Sequence, residues 1–556
     1  MKLGISKIEA ISLGVISLLI VAVLTISAGG PMFSDELGYI AAGMNGFKDP
    51  SILGRYFHIY IQAFFLQLAP SPISGVRLFW SLEMVITAVM IYLGIRLLNR
   101  KATVIHSLVG AVFFFGLPFF LTYSGDTIID LTSMVVITAM LFLYLLSIRF
   151  ERAARWLILG MGAMLFFSYE TKEVNVAAGF VILGLGLDAE GGFHWKLFWQ
   201  KVRWFLLGLV GGVIVYMILG AIVVHDPFWG FRISEYQAYI SGYANLFLTG
   251  HKPYDYFKVL LDTLPLFLLF LVGGLLNGEQ IGRREKIVWF YPFVFVIAIT
   301  IVWIRSRYGT LDRVLFPTLP VMCMFAPQAL AFDFPAEKRH KRSLLIWVAA
   351  CLLIVGGVIL LYPRIAKAIG WDYTEFTSSF MVAILLSFVL IMFGWVKQFG
   401  KTTFVLTLMG IMLLAAQPVY INFNNIVILR ANQQSYSDRI SPFSSFKTSI
   451  HFSPHMQMLI SLDLRNSYYL LGNGLDDTVG LFDLYFDVPA TRGNFQLVSD
   501  RGDLQMDILK GSCDYVLMTN GDWSYLSQQS QVEMQITSLY NVKNDDTGRI
   551  YFLEKK

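Results

Sequence analysis

The chain has 556 residues, 56% of them hydrophobic and 15% charged, with a mean hydropathy of +0.61. A soluble globular protein does not carry so much apolar surface, so that class is excluded and repeated lipid-spanning helices are implied. The net charge of +5 lies mostly in loops, where on a membrane protein it reports orientation before any nucleic-acid partner, and none is expected. The N-terminal segment has a basic start and an apolar run over 8–28, long enough to cross ~30 Å of hydrocarbon. A cleaved signal peptide has a shorter apolar core, so this run reads as a retained first span. Further runs follow near 74–98, 103–121, 131–148, 156–169, 174–187, 204–224, 259–276, 287–304, 314–331, 344–361, 376–395 and 403–421, giving thirteen candidate spans. An odd number puts the termini on opposite sides of the membrane.

Basic clusters choose the side. Lys2 and Lys7, Arg96 with Arg100 and Lys101, Arg149 with Arg152 and Arg155, Lys196 with Lys201 and Arg203, Arg283 with Arg284 and Lys286, and Lys338 to Arg342 all fall on one face of the count. That face is cytoplasmic by the excess of Lys and Arg, and the N-terminus lies on it. The opposite face receives the long loops 29–73 and 225–258 and everything after residue 421. The three cysteines suggest neither a disulfide framework nor a metal site, since Cys323 and Cys351 fall in apolar runs and Cys513 lies far from both.

From about residue 430 the apolar runs shorten and turn signals appear. The chain therefore divides into a transmembrane domain, 1–429, and a small extracytoplasmic α/β domain, 430–556. Within the latter, 468–472, 495–499 and 513–519 read as strands, separated by helix-compatible segments at 476–487, 503–510 and 523–536. No glycine-rich phosphate loop opens these helices, so no catalysis is assigned to them.

The first outer loop carries the chemistry of interest. In PMFSDELGYIAAGMN, residues 31–45, Ser34 is placed to cap a short amphipathic helix with Asp35 and Glu36 in its first turn. Two acids there could merely complement the helix dipole. A second amphipathic piece, 54–69, is suited to lie along the interface, with Arg55 and His58 at its start. The loop thus offers a carboxylate pair and, about twenty residues later, a cation at the height of lipid headgroups.

An Asp-Glu pair on a first-loop helix resembles the signature of the GT-C glycosyltransferases, in particular the branch of protein O-mannosyltransferases and the lipid A aminoarabinose transferase. Residues 125–146 are similar to that branch's second outer loop, where an Asp heads the fourth span; Asp130 fits the position better than Asp126. Residues 160–187 resemble its span, Thr-Lys, span element, with Thr171 and Lys172 in place, and 305–327 resemble its Arg-Tyr followed by spaced prolines, here Arg307, Tyr308, Pro317 and Pro320. Together with the order and sidedness of the spans, the likeness covers roughly residues 1–330. One departure is Arg55-Tyr56-Phe57-His58, where the aminoarabinose branch has Lys-Pro-Pro.

The resemblance implies a GT-C fold of about thirteen transmembrane helices and an inverting sugar transfer from a polyprenyl-phosphate-linked donor to a protein, glycan or lipid acceptor. It also implies that no metal or other cofactor is needed. An attacking hydroxyl needs a carboxylate to take its proton, and Asp35 is the candidate base. Glu36, on another face of the helix, would orient loop groups or the acceptor. The leaving lipid phosphate gains charge as the glycosidic bond breaks, so fixed cations at the outer ends of spans lower the barrier; Arg55, Lys172, Arg305 and Arg307 are the candidates. Asp130, His58 and Tyr308 are candidates for positioning substrate. For Arg305 and Arg307 the plainer alternative is interfacial anchoring, for Lys172 a structural pair with Glu170 or Glu173, and for Asp130 a helix cap. Two other classes remain open: a lipid transporter or flippase, which commonly shows internal repeats not found here, and a noncatalytic envelope-assembly protein, which would not need Asp35.

Overall fold

The computed structural model describes residues 39–40, 42–44, 56–99, 102–115, 128–188, 190–223, 225–228, 231, 264–276, 281–306, 312–330, 455–461, 494–498, 500–544 and 548–556, with a few helical positions between 11 and 18. The spans expected at 344–361, 376–395 and 403–421, most of the first span, the strand expected at 468–472, the helix at 476–487 and the boundary at 429/430 lie outside the described residues.

Helix α1, Tyr56–Leu68, is followed by α2, Pro72–Leu98. The start of α2 is encoded locally: Ser71 caps it by accepting from the Ser74 N–H, and Pro72 supplies a first-turn residue whose missing N–H costs nothing. Next come α3, Val104–Phe115, α4, Ile129–Arg149, and α5, Ala154–Thr171. Residues Glu173–Gly186 then form a 3-10 helix. At ~2.0 Å per residue its 14 residues reach roughly 28 Å, where an α-helix of that length would reach roughly 21 Å. Helix α6, Trp195–Val223, begins nine residues before the run expected at 204–224, because the aromatic and basic segment from Trp195 continues the helix past its apolar core.

Three of these helices, α2, α4 and α6, are long and apolar enough to cross a membrane among the described residues. They differ in exposure. In the apolar windows of α2 and α4, 67% of residues are buried, against 22% in α6, whose exposed Leu206, Leu207, Val210, Ile214 and Ile218 suit contact with lipid. The inner side of α6 meets α5 at glycines: a Cβ at Gly208 would stand 1.8 Å from the Leu159 carbonyl oxygen, and one at Gly162 2.0 Å from that of Phe205. The two backbones approach this closely only because both positions lack a side chain.

Helices α7, Leu264–Leu276, α8, Arg283–Trp289, and α9, Tyr291–Ser306, precede a proline-broken stretch over 312–330. There α10, Leu319–Phe325, is flanked by 3-10 turns at Asp312–Thr318 and Ala326–Leu330, since Pro317 and Pro327 cannot donate to an α-helical ladder. Every residue of α10 is buried. One end of the bundle collects basic groups: Arg149 donates to the Leu97 carbonyl at 2.9 Å and pairs with Glu285 at 3.4 Å, and the Tyr144 hydroxyl donates to the Arg284 carbonyl. The turn after the 3-10 helix closes on Asp188, which pairs with His194 at 2.7 Å and accepts from the Gly192 N–H; the His194 bond first, then the backbone bond, hold the Asp188 carboxyl below its usual range.

The C-terminal residues form a five-stranded sheet in the order β2-β1-β3-β5-β4, with β1 Gln457–Ser461, β2 Asn494–Val498, β3 Tyr515–Thr519, β4 Tyr540–Asn544 and β5 Ile550–Lys555. β1 pairs in parallel with β2 and β3, and β5 pairs antiparallel with β3 and β4. Helix α11, Arg501–Lys510, connects β2 to β3, and α12, Asn520–Ser527, with α13, Ser530–Leu539, connects β3 to β4. The strands expected at 495–499 and 513–519 are present, whereas the single helix expected over 523–536 is two. Strands β1, β4 and β5 fall outside the expected ones; β4, an edge strand, shows an almost wholly solvated pattern that gives no apolar run to read.

Candidate active site

Of the residues singled out in the sequence, Asp35, Glu36, Arg55, Arg307 and Tyr308 lie outside the described residues, as does the side chain of Arg305 at the end of α9. His58, Asp130 and Lys172 are described, and they come from three elements: the start of α1, the start of α4 and the end of α5.

Lys172 sits where α5 stops and the 3-10 helix begins, in extended backbone with φ −160° and ψ 124°. Hydroxyl and amide side chains fix the junction. Thr171 donates its Oγ1 proton to the Phe167 carbonyl at 2.7 Å, and Asn175 Nδ2 donates to the Ser168 carbonyl at 2.8 Å, so the last turn of α5 is occupied from the side as well as along the backbone. The Lys172 ammonium reaches Asp130, with which it forms an ion pair. The Asp130 carboxyl is 2% exposed and the Lys172 side chain 16%, so the pair is shielded on the acid side and still reachable on the ammonium side. Asp130 is not the cap of α4; Ile128 occupies that position without a side-chain bond, and Asp130 lies within the first turn, where the helix dipole favours an anion.

Two residues along α4, Thr132 makes a second connection. Neighbours two apart do not share a helix face, so Asp130 and Thr132 serve different partners. Thr132 Oγ1 lies 2.7 Å from His58 Nδ1 and donates to Glu83 Oε1 on α2. Glu83, Thr132 and His58 are 4%, 2% and 0% exposed. The His58 ring is held edge-on by Tyr39, with centroids 5.3 Å apart, and against Phe79 at 5.5 Å. Tyr39 is one of the helical residues described at 39–40 and 42–44, three residues after Glu36 in sequence.

Helix α1 buries His58 and Gln62 fully, alongside Ile59, Ala63 and Leu66, while Phe64 and Leu68 are 58% and 63% exposed, as suits a helix lying between protein and lipid. Further along it, Tyr60 packs with Tyr216 and Phe166, and its hydroxyl is pushed up to about 12 by burial, then by the Glu170 and Asp226 carboxylates. Sequence reasoning named Asp130, Lys172 and His58 but passed over Glu83 and Thr132. Glu83 carried a usable signal, an ionisable residue in the middle of an apolar span; Thr132 carried none.

The ion pair stands at one end of the bundle. Asp130 and Arg149 are the first-turn and last-turn charges of α4, nineteen residues or about 28 Å apart along the axis. The acid-and-ammonium pair thus stands at one end of α4 and the Arg149–Glu285 cluster at the other.

No family model matches the chain. Among solved structures, it is similar to ArnT from Cupriavidus metallidurans bound to undecaprenyl phosphate, with 14% identity and a TM-score of 0.57 over 98% of this chain and 97% of that one. The apo state of the same protein aligns with 15% identity and a TM-score of 0.55 over the same shares. Among curated proteins, 134 residues are 28% identical to the inner membrane-spanning protein YciB of Dechloromonas aromatica (strain RCB), a match spanning 21% of this chain and 66% of that protein. At such identities the structural likeness is one of fold, and the fold shared is that of the GT-C proteins.

Proposed function

We propose that this chain is an integral inner-membrane glycosyltransferase that moves a sugar, with inversion, from a polyprenyl-phosphate-linked donor to a protein, glycan or lipid acceptor on the outer face. The observation that carries the reading is the Asp130–Lys172 pair, with its ammonium still partly exposed, at the end of α4 opposite the Arg149–Glu285 cluster. The Asp130 carboxylate offsets the cost of holding an ammonium in a lipid-embedded bundle, and the exposed part of that ammonium remains open to a second anion, which a lipid phosphate supplies at that height. The solved GT-C structure with undecaprenyl phosphate bound supports a donor of that chemistry.

In the transfer, an acceptor oxygen forms a bond to the anomeric carbon while the bond from that carbon to the lipid phosphate breaks. The phosphate leaves with the electron pair, and the acceptor's proton passes to Asp35. Lys172, with Arg55, Arg305 and Arg307, stabilises the departing phosphate; Asp130 aims the Lys172 ammonium, and Glu36, His58 and Tyr308 position substrate. Where the acceptor is itself a phosphate, little proton removal is required and Asp35 acts mainly by positioning it. Residues 1–429 form the transmembrane catalytic domain and 430–556 an extracytoplasmic α/β domain without catalysis.

The test is transfer from a panel of polyprenyl-phosphate sugars into membranes, comparing the wild-type protein with Asp35→Asn. The expected result is transfer from at least one donor, reduced about 10²- to 10⁴-fold by the substitution for a hydroxyl acceptor. Undiminished transfer would remove Asp35 as the base, and no transfer from any donor would favour a transporter or assembly protein.

A further inference from the structure

Glu83 is a carboxyl group that the transfer just described does not use. It lies near the middle of α2 in an apolar span, 4% exposed. One carboxyl oxygen accepts from Thr132, and the other, Oε2, is buried with no hydrogen-bond partner among the described residues. As a purely structural device this is poor. A carboxyl group half satisfied in a dry interior costs more than the amide or thioether of the same size that could replace it.

What a carboxyl group adds is the capacity to take and return a proton. The Thr132 hydroxyl has one proton and stands between Glu83 Oε1 and His58 Nδ1. If His58 carries its proton on Nδ1, it donates to Thr132 and Thr132 donates to an ionised Glu83. If Glu83 carries the proton, it donates to Thr132 and Thr132 donates to a bare Nδ1. The two arrangements differ by one proton moved along the chain, and with a protonated His58 at the start both are neutral as a whole. The hydroxyl therefore couples the state of Glu83 to the tautomer of His58, as an outer partner does for a functional imidazole. His58 in turn touches Tyr39, four residues beyond Asp35.

We infer that Glu83 is a positioning residue of the same site: acting through Thr132, it sets which ring nitrogen of His58 holds a proton, and so orients the first-loop helix that His58 contacts. The inference rests on the glycosyltransferase reading. Among the described residues, Asp130, two residues before Thr132 on α4, is engaged in its ion pair with Lys172 from the end of α5, and the Tyr39 ring meets His58 edge-on. Helices α3 and α10 meet α2 in its other half, at Ile95 and Gly94, so their His106 and Cys323 do not reach Glu83.

The experiment has two readouts. The first is the pH profile of transfer by Glu83→Gln, Thr132→Val and Thr132→Ser, with kcat and the donor KM separated. Gln keeps the size of Glu83 and the oxygen that accepts from Thr132, but cannot exchange a proton, so a merely structural role would survive it. The expected result is a fall in kcat of about ten- to a hundredfold for Glu83→Gln and Thr132→Val with little change in KM and a displaced acid limb. Thr132→Ser should restore most of that loss, and the Glu83→Gln/Thr132→Val double variant should be no worse than either single one.

The second readout needs no turnover: infrared spectra of the purified protein through a pH titration should show a carboxylic-acid C=O band that Glu83→Gln removes and Thr132→Val shifts. Wild-type kcat and pH profile in Glu83→Gln, or a band unmoved by Thr132→Val, overturns the inference and leaves the glycosyltransferase reading standing. Absence of transfer by the wild-type protein overturns that reading and the catalytic half of the inference, while the band still decides whether the proton is shared.

Discussion

Lys172 stands between Glu170 and Glu173 in sequence, yet its ammonium goes to Asp130, forty-two residues away. The reason is the break in the helix: a residue in extended backbone between two helices points where neither helix face would point it. A pair this shielded gains little net stability from its own attraction, but removing one partner strands the other. Lys172→Met should therefore destabilise the protein by about 3–5 kcal/mol and abolish transfer, and Asp130→Asn/Lys172→Met should regain most of the stability. Transfer should remain lost in the double variant, because the cation that meets the phosphate is still missing. Thermal unfolding in detergent and the transfer assay, run on the same preparations, separate the two effects; transfer recovered by the double variant would reduce Lys172 to a structural role.

The α5–α6 crossing shows how much of an element's fate lies in positions that carry no chemistry. The apolar surface of α6 looks alike all round in sequence, so hydropathy identifies a span without saying which side faces protein. Glycine contacts make the distinction: Gly162 and Gly208 sit at backbone approach, while nothing lies within 4 Å of a Cβ built at Gly211. Gly208→Ala should lower stability by about 1–3 kcal/mol, since the atom it meets is a backbone carbonyl that can move only by separating the helices. Gly211→Ala, on the open side, should be neutral or slightly stabilising through helix propensity. Unfolding midpoints of the two variants in detergent check this directly. The 3-10 helix Glu173–Gly186 and the broken stretch 312–330 teach a related lesson, for their apolar runs were legible but their helix type was not. In the second, the prolines warned of interruption; in the first, no residue type announced it.

At the scale of the whole molecule, the separation of charges along α4 makes orientation testable. With Arg149 and the Asp188–His194 turn cytoplasmic and the C-terminal sheet outside, a cysteine replacing exposed Ser524 on α12 should react with a membrane-impermeant thiol reagent in intact cells. One replacing exposed Glu190 should react only after permeabilisation. The native thiols among the described residues, Cys323 and Cys513, are buried and free, so a wild-type control bounds their contribution. Labelling of both sites from outside would overturn the sidedness proposed for the site.

Hydropathy determined by itself that this is a helical membrane protein, and the order of Asp-Glu, Thr-Lys and Arg-Tyr motifs pointed to the GT-C architecture that structural similarity then supplied. Those features are legible because lipid imposes a length and a polarity on each span independently of what the span packs against. Strands β2 and β3 and the helix between them were legible for a like reason, since buried parallel strands read as short apolar runs, whereas β4 and β5 were not. Only the tertiary structure decided that Lys172 belongs to Asp130 and that Glu83, Thr132 and His58 form one chain, because those side chains meet across helices separated by 42 to 74 residues. Pairing at that distance depends on how helix faces rotate against one another, and a glycine such as Gly208, where an added Cβ would stand 1.8 Å from the Leu159 carbonyl oxygen, sets that rotation more tightly than any pattern within one segment can.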